Sequence, residues 1–287
     1  MNNQELLVFL KNRERKGNEN MLSEARKREE LEFHNRTRDA GVIRTLSEKD
    51  LKHLYSNNKY YSVAQLSKNY VDQWLRTNAR GKVFLDYACG NGKNTIKAAK
   101  AGASLAVGLD ISDVSISNAK EDARKEGVES NVFFYHGDCE DTQLPNECVD
   151  AIICDGMLHH LDLHRAFKEM HRILKPNGRV MGYEALKYNP IIQLYRVLTP
   201  QMRTEWEKDH ILSHKELRLA AKYFSVQNIN YWHLLSMLAV PFKNTGLFKP
   251  ALKLFNCADA IILKIPGVRL MSWMFTFELV KKSSASG

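Results

Sequence analysis

No apolar run in the 287 residues approaches the roughly 18–20 residues that a bilayer-spanning helix requires. The first residues lack a secretory layout too: Lys11, Arg13 and Glu14 follow closely on Leu6–Leu10, and no small-residue cleavage site appears. Cysteine is scarce. Cys89, Cys139, Cys148, Cys154 and Cys257 are odd in number and form no Cys-x-x-Cys pair, which argues against a disulfide framework and a structural zinc site. The expectation is a soluble protein of the cytoplasm. Acidic residues are thin in the last third, where residues 186–287 hold 6 acids against 14 basic groups. Residues 61–185 hold 17 against 15, and residues 1–60 hold 10 against 13, so the net +9 sits mainly at the C-terminal end. No nucleic-acid signature or dense Lys/Arg cluster accompanies it, and nucleic acid is not expected as a partner. The excess reads as a solubilising surface.

The 44% hydrophobic content suffices for a real core. Residues 1–60 read as charged helices, with Glu and Lys/Arg three and four apart over 23–38 and another short helix over 48–58. Tyr60 and Tyr61 lead into a helical stretch over 63–76. From residue 81, short apolar runs alternate with amphipathic segments. Strands are expected over 82–87, 104–109, 132–135, 149–154 and 179–184, with helices over 94–101, 114–126 and 164–174 between them. That alternation predicts an α/β fold with a parallel sheet covered on both faces. Two helices are expected over 186–222, then strands over 226–232 and 273–280. Residues 283–287 read as a frayed end.

Chemistry concentrates at strand ends. Asp86-Tyr87-Ala88-Cys89-Gly90-Asn91-Gly92 is an acid followed by a small-residue turn that opens a helix, where free N–H groups and absent side chains allow close approach of a ligand. The second strand ends in Asp110, placed for ribose hydroxyls. The third ends in Asp138 and Cys139, with the acid suited to an exocyclic amine. Three acids favour a cationic nucleoside over a polyphosphate. A nicotinamide-dinucleotide domain is the rival reading, but Gly-x-Gly-x-x-Gly is missing.

Over about residues 80–185 the sequence resembles the class I S-adenosylmethionine-dependent methyltransferases. Its Asp155-Gly156-Met157-Leu158-His159-His160 and Arg172–Gly178 segments look like the quinone C-methyltransferase branch. The resemblance implies a Rossmann-like seven-stranded sheet and S-adenosylmethionine as methyl donor. It divides the chain into a helical cap over 1–78 and a cofactor-binding domain over 79–287, the latter with a lid over 186–222 and an apolar insertion over 234–268. The cofactor residues it implies are Asp86, Ala88, Cys89, Gly90, Asn91, Gly92, Asp110, Ile111, Asp138, Cys139, Asp155, Gly156 and His160. Ala88 stands where the family has its first glycine.

Methyl transfer from a sulfonium needs alignment more than acid–base help, so no base is legible. Candidates are Glu184, Tyr188, Arg203 and His210. Phe33, His34, Tyr60, Tyr61, Asn189, Arg196 and Trp206 are expected around the substrate. His159 and His160 read as cleft lining, and no metal site is expected. The leading expectation is methyl transfer to a small specialised metabolite or lipid-like acceptor. One alternative uses S-adenosylmethionine as sole substrate, cyclising it to azetidine-2-carboxylate with release of methylthioadenosine. A second alternative is a non-catalytic S-adenosylmethionine-binding protein. The lysine-studded insertion is read either as a core or homodimer face or as a peripheral membrane contact.

Overall fold

The computed structural model describes residues 2–14, 23–48, 51 and 56–282. The expected helix over 48–58 lies largely outside the described residues, as does 283–287. Among the described residues seven strands are present: β1 (Val83–Tyr87), β2 (Leu105–Asp110), β3 (Val132–His136), β4 (Val149–Asp155), β5 (Leu174–Ala185), β6 (Phe224–Trp232) and β7 (Met274–Lys281). They form one sheet in the order β3-β2-β1-β4-β5-β7-β6. The first five pair in parallel, and β7 runs antiparallel between β5 and β6. Every residue of β1 and β2 is buried. Their continuous apolar sequences are what a strand covered on both faces requires.

Helices α4 (Gln65–Ala79), α5 (Lys93–Lys100) and α6 (Asp113–Lys125) cover one face, packing Val71, Trp74, Ile96 and Ile116 against Phe84 and Ala106. On the other face α7 (Leu163–Ile173) and α10 (His214–Ala220) pack Phe167, Met170 and Leu217 against Leu85 and Phe277. Leu6 and Leu10 of α1 (Asn3–Glu14) join this second core. Full burial contributes about 2–3 kcal/mol for a residue such as Phe167. From β1 the sheet grows one way to β2 and the other to β4. A cleft therefore opens beyond the carboxyl ends of β1 and β4.

Two sequence expectations need correction. The fifth strand begins before the expected residue 179: Leu174 already pairs with Val149, and a register shift follows, with Asn177 at φ 62°. Residues 190–220 form three short helices, not two: α8 (Pro190–Leu198), α9 (Glu205–Asp209) and α10. Local caps cut them apart. Thr204 Oγ1 accepts the Glu207 N–H, and Ser213 and Glu216 form a reciprocal capping box.

The insertion consists of a 3₁₀ turn at Leu235–Phe242, α11 (Phe248–Ile262) and α12 (Pro266–Arg269). Asp259 fastens it, accepting the N–H groups of Leu234, Leu235 and Ser236 at 3.2, 2.7 and 3.0 Å. Before the chain enters α2 (Ala25–Arg38) and α3 (Ala40–Thr45) it crosses residues outside those described.

Buried His233 joins β6, α4 and the insertion. Its Nε2 lies 2.7 Å from Ser67 Oγ, which also meets the Tyr183 hydroxyl at 2.9 Å. Burial pushes His233 down to about 4. Unfolded, it titrates near 6.5. Between those values the unfolded chain binds the extra proton, so stability falls as pH drops from about 6.5 towards 4, by up to about 3 kcal/mol. Urea unfolding across this window should show that slope, and His233→Gln should flatten it.

Candidate functional site

The loop after β1 turns through three left-handed residues, Ala88, Gly90 and Gly92, at φ 56°, 53° and 75°. Ala88 holds this conformation despite its side chain, at a cost of roughly 1 kcal/mol. Gly92 has no such latitude, because a Cβ there would stand 2.7 Å from Phe134 and 2.8 Å from Ala119. Below the loop, Asp86 Oδ2 accepts from Thr95 N and Oγ1, both at 2.9 Å. Burial pushes its carboxyl up to about 7. Asp86 thus supports the first turn of α5. Asp110 carries the loop from the next strand: Oδ2 accepts from Gly90 N at 2.7 Å and Oδ1 from Ser112 N at 2.9 Å.

Of the residues expected at the cofactor, Ala88, Asp110, Ile111, Asp138, Cys139, Asp155, Gly156 and His160 line one cleft, together with His34. Asp86, Cys89, Gly90, Asn91 and Gly92 are not among its lining residues. They shape the loop, with Cys89 N bonded to Leu109 O at 2.8 Å. The sequence reading puts Phe33 and His34 of the cleft's roof at the substrate but does not identify the roof's charged groups. Helix α2 lies across the cleft and presents Arg26, Lys27, Glu30, His34 and Arg38. Lys27 Nζ sits 2.7 Å from Asp138 Oδ2 and 3.2 Å from Glu140, whose Oε1 is 2.6 Å from Arg26. Arg38 donates to Ser115 Oγ at 2.7 Å and stands 3.5 Å from Asp110. Spacings of three and four from Lys27 to Arg38 put these groups on one helix face, a signal that was there to find.

A second cavity, of about 280 Å³, adjoins the β4 loop and is lined by Tyr60, Tyr61, His159, Tyr195, Arg196, Arg203, Glu207, Met237 and Trp273. His159 enters it from the loop after β4. The Nδ1 of His159 lies 2.7 Å from Glu184 Oε2, while Glu184 Oε1 accepts from Met157 N at 2.8 Å and Leu158 N at 2.7 Å. Glu184, with no exposure, is therefore a positioning residue that orients the imidazole and leaves Nε2 towards the cavity. Burial lowers the His159 pKa, but the Glu184 charge and hydrogen bond outweigh it and the net shift is upward. Arg196 is pushed down to about 10 by burial and by Arg203. It donates to the Glu207 carbonyl at 2.9 Å, and Glu207 Oε1 is 3.3 Å from Arg196 and 3.5 Å from Arg203.

The other candidates are spent elsewhere. The Tyr188 hydroxyl accepts from His214 N, and Asn189 caps α8 while donating to Met271 O. His210 stacks on Trp206 at 3.7 Å along a separate surface groove. Phe33 lies edge-on to His34 at 5.5 Å.

Residues 85–182 match the methyltransferase domain family. That segment is similar to methyltransferase domains, and the seven-stranded sheet around it has the fold of class I methyltransferases. Over 101 residues it is 31% identical to the 27-O-demethylrifamycin SV methyltransferase of Amycolatopsis mediterranei (strain S699), covering 35% of this chain and 37% of that protein. Over 117 residues it is 33% identical to the ubiquinone/menaquinone C-methyltransferase UbiE of Enterobacter sp. (strain 638), covering 40% and 46%. The chain thus spans less than half the length of these curated relatives. Its fold matches the geranyl diphosphate C-methyltransferase of Streptomyces coelicolor A3(2) at TM-score 0.55, 18% identity, over 76% of this chain and 79% of that one. It matches the [4+2]-cyclase SpnF at TM-score 0.53, 18% identity, over 82% and 95%.

S-adenosylmethionine is the donor of this domain class, and the cleft of the methyltransferase domain fits it. Asp110 would take the ribose hydroxyls through lone pairs left beside its two backbone bonds. Asp138 would meet the adenine edge only after yielding Lys27. Arg38 brings positive charge for a carboxylate. Asp110→Asn should weaken S-adenosylmethionine binding about 10- to 100-fold by calorimetry, the loss expected for one charge-assisted hydrogen bond.

Proposed function

We propose that this chain transfers a methyl group from S-adenosylmethionine to a largely apolar small molecule that bears one anionic or strongly accepting group and is seated in the cavity beside His159. The buried Glu184–His159 pair carries the reading. Bound S-adenosylmethionine supplies a methyl group already activated by its sulfonium charge. The chain then has to align an acceptor and remove a proton. His159 Nε2 takes that proton from an acceptor hydroxyl or acidic carbon, and Glu184 holds the imidazolium that results. Arg196 and Arg203 outnumber Glu207, so the cavity favours an acceptor with a negative or strongly accepting group. The relatives name diverse acceptors, among them a rifamycin and ribosomal protein L11, so the choice of acceptor rests on the cavity and not on their names.

The test is incubation of pure protein with S-adenosylmethionine alone, then with a metabolite extract, followed by mass spectrometry of the nucleosides. Adenosylhomocysteine formed only with the extract is expected. Methylthioadenosine formed without an acceptor would replace this reading with intramolecular cyclisation. His159→Gln should lower kcat about 10²- to 10⁴-fold with donor affinity unchanged.

We further propose that the insertion rests on an anionic membrane surface. Leu238, Leu247, Leu254, Ile261 and Ile265 are exposed there among Lys243, Lys249, Lys253 and Lys264, and its one acid, Asp259, is buried. Apolar groups entering the interface with lysines at the headgroups fit such a surface. Among the described residues no helix is long and apolar enough to cross a membrane. Exposed Ile191 and Leu194 of α8 lie near the cavity that Ile191 and Met237 line, so an acceptor held in lipid would reach it directly. Sedimentation with vesicles containing phosphatidylglycerol, but not with pure phosphatidylcholine, is expected. Self-association without vesicle binding would identify the face as a homodimer contact instead.

A further inference from the structure

The expectation from sequence was that this chain holds no metal, since no ligand pair there shows a recognisable spacing. The fold changes that. It brings Glu30 and His34, one turn apart on α2, against His160 from the loop after β4. We propose that Glu30, His34 and His160 bind one divalent first-row transition-metal ion and thereby pin α2 over the cleft.

Three observations converge on it. First, the separations suit shared coordination: His160 Nδ1 lies 2.9 Å and His34 Nε2 3.6 Å from Glu30 Oε2, with all three donors within 4.8 Å of one another. Donors about 2.1 Å from an ion stand about 3.0 Å apart at an octahedral right angle and about 3.4 Å apart at a tetrahedral one. Second, the carboxylate is held ready to coordinate. Glu30 Oε1 accepts from Thr204 Oγ1 at 2.6 Å, which fixes the carboxylate and turns Oε2 inward. Glu30 is 4% exposed, and its Oε2 is paired only with the imidazoles of His160 and His34, the same groups that would share the ion. Third, the set is chemically apt: two imidazoles and one carboxylate, with positions left open towards the cleft that all three residues line.

A neighbouring group, His159, His160 and Glu207, is also close enough for a shared ion. Its carboxylate is committed, however: Glu207 pairs with Arg196 and Arg203, whose two positive charges would also repel an ion there. The first group is therefore the site. It does not depend on the methyl-transfer reading, because metal binding is read directly.

Untagged full-length protein, stripped with a chelator, is titrated with Co²⁺ and followed by visible absorption and calorimetry. One equivalent should bind and be displaced by Zn²⁺. Glu30→Gln and His160→Gln should each weaken Co²⁺ binding at least about 100-fold, the upper end of what lost supporting contacts cost a metal site. His210→Gln should leave it unchanged. Circular dichroism of the metal-free variants checks folding. Should either variant unfold, amide exchange of the unaltered protein decides: Co²⁺ should slow exchange across residues 25–38. Binding no tighter than about 1 mM, binding that survives both substitutions, or unaltered exchange in α2 would overturn the proposal. Glu30 and His160 would then be an ordinary ion pair.

Discussion

Glu184 receives three donors and no solvent. Two come from the backbone of the loop after β4 and one from the imidazole that this loop carries. A carboxylate this deep is costly unless fully bonded. The bonds run both ways, since the loop owes its course to the same oxygens. Gly156, Met157 and His160 line the cleft under α2, and His159 lines the second cavity. The relative placement of the two chambers therefore hangs on one side chain at the end of β5, gripped between β4 and β7.

Charge explains the roof. Asp110, Asp138 and Glu140 converge at the carboxyl ends of the strands or just beyond, and acids so close repel one another when dry. Arg26, Lys27 and Arg38 offset that repulsion from a helix that contributes few apolar contacts to the sheet. Lys27 gains net stabilisation of its charge from Asp138 and Glu140 despite the cost of burial. The roof is thus held largely by charge, and a cationic donor would compete with lysine and arginine for the same oxygens.

Much of this was legible in the sequence. Strands covered on both faces announce themselves as apolar runs, and an acid at the end of such a run has few places to go but the cleft; Asp110 and Asp138 lie there as expected. Asp86 does not, because the same position also commands the first turn of the next helix and Thr95 claims it. Of α2, the sequence points only Phe33 and His34 to a pocket; the spacing of its charges reveals a face, but mixed charges look the same whether that face meets water or a cleft. Glu184 stands among the candidate bases, but no pattern in the sequence shows that it is fully buried and takes three donors, one of them His159. Partnerships such as Glu30 with His160 join residues 130 apart in sequence, and no local pattern encodes them.

The sheet order also bears on synthesis. β7 lies between β5 and β6 but is the last of the seven strands to be made. Until residues 274–281 leave the ribosome, β5 keeps an unpaired edge and β6 has no neighbour at all. Phe275 and Phe277, both fully buried in the finished sheet, are missing from its core over the same interval. An open edge beside an incomplete apolar face invites pairing with other chains. The nascent protein is thus most vulnerable to aggregation just before its last strand slots into the middle of a nearly finished sheet.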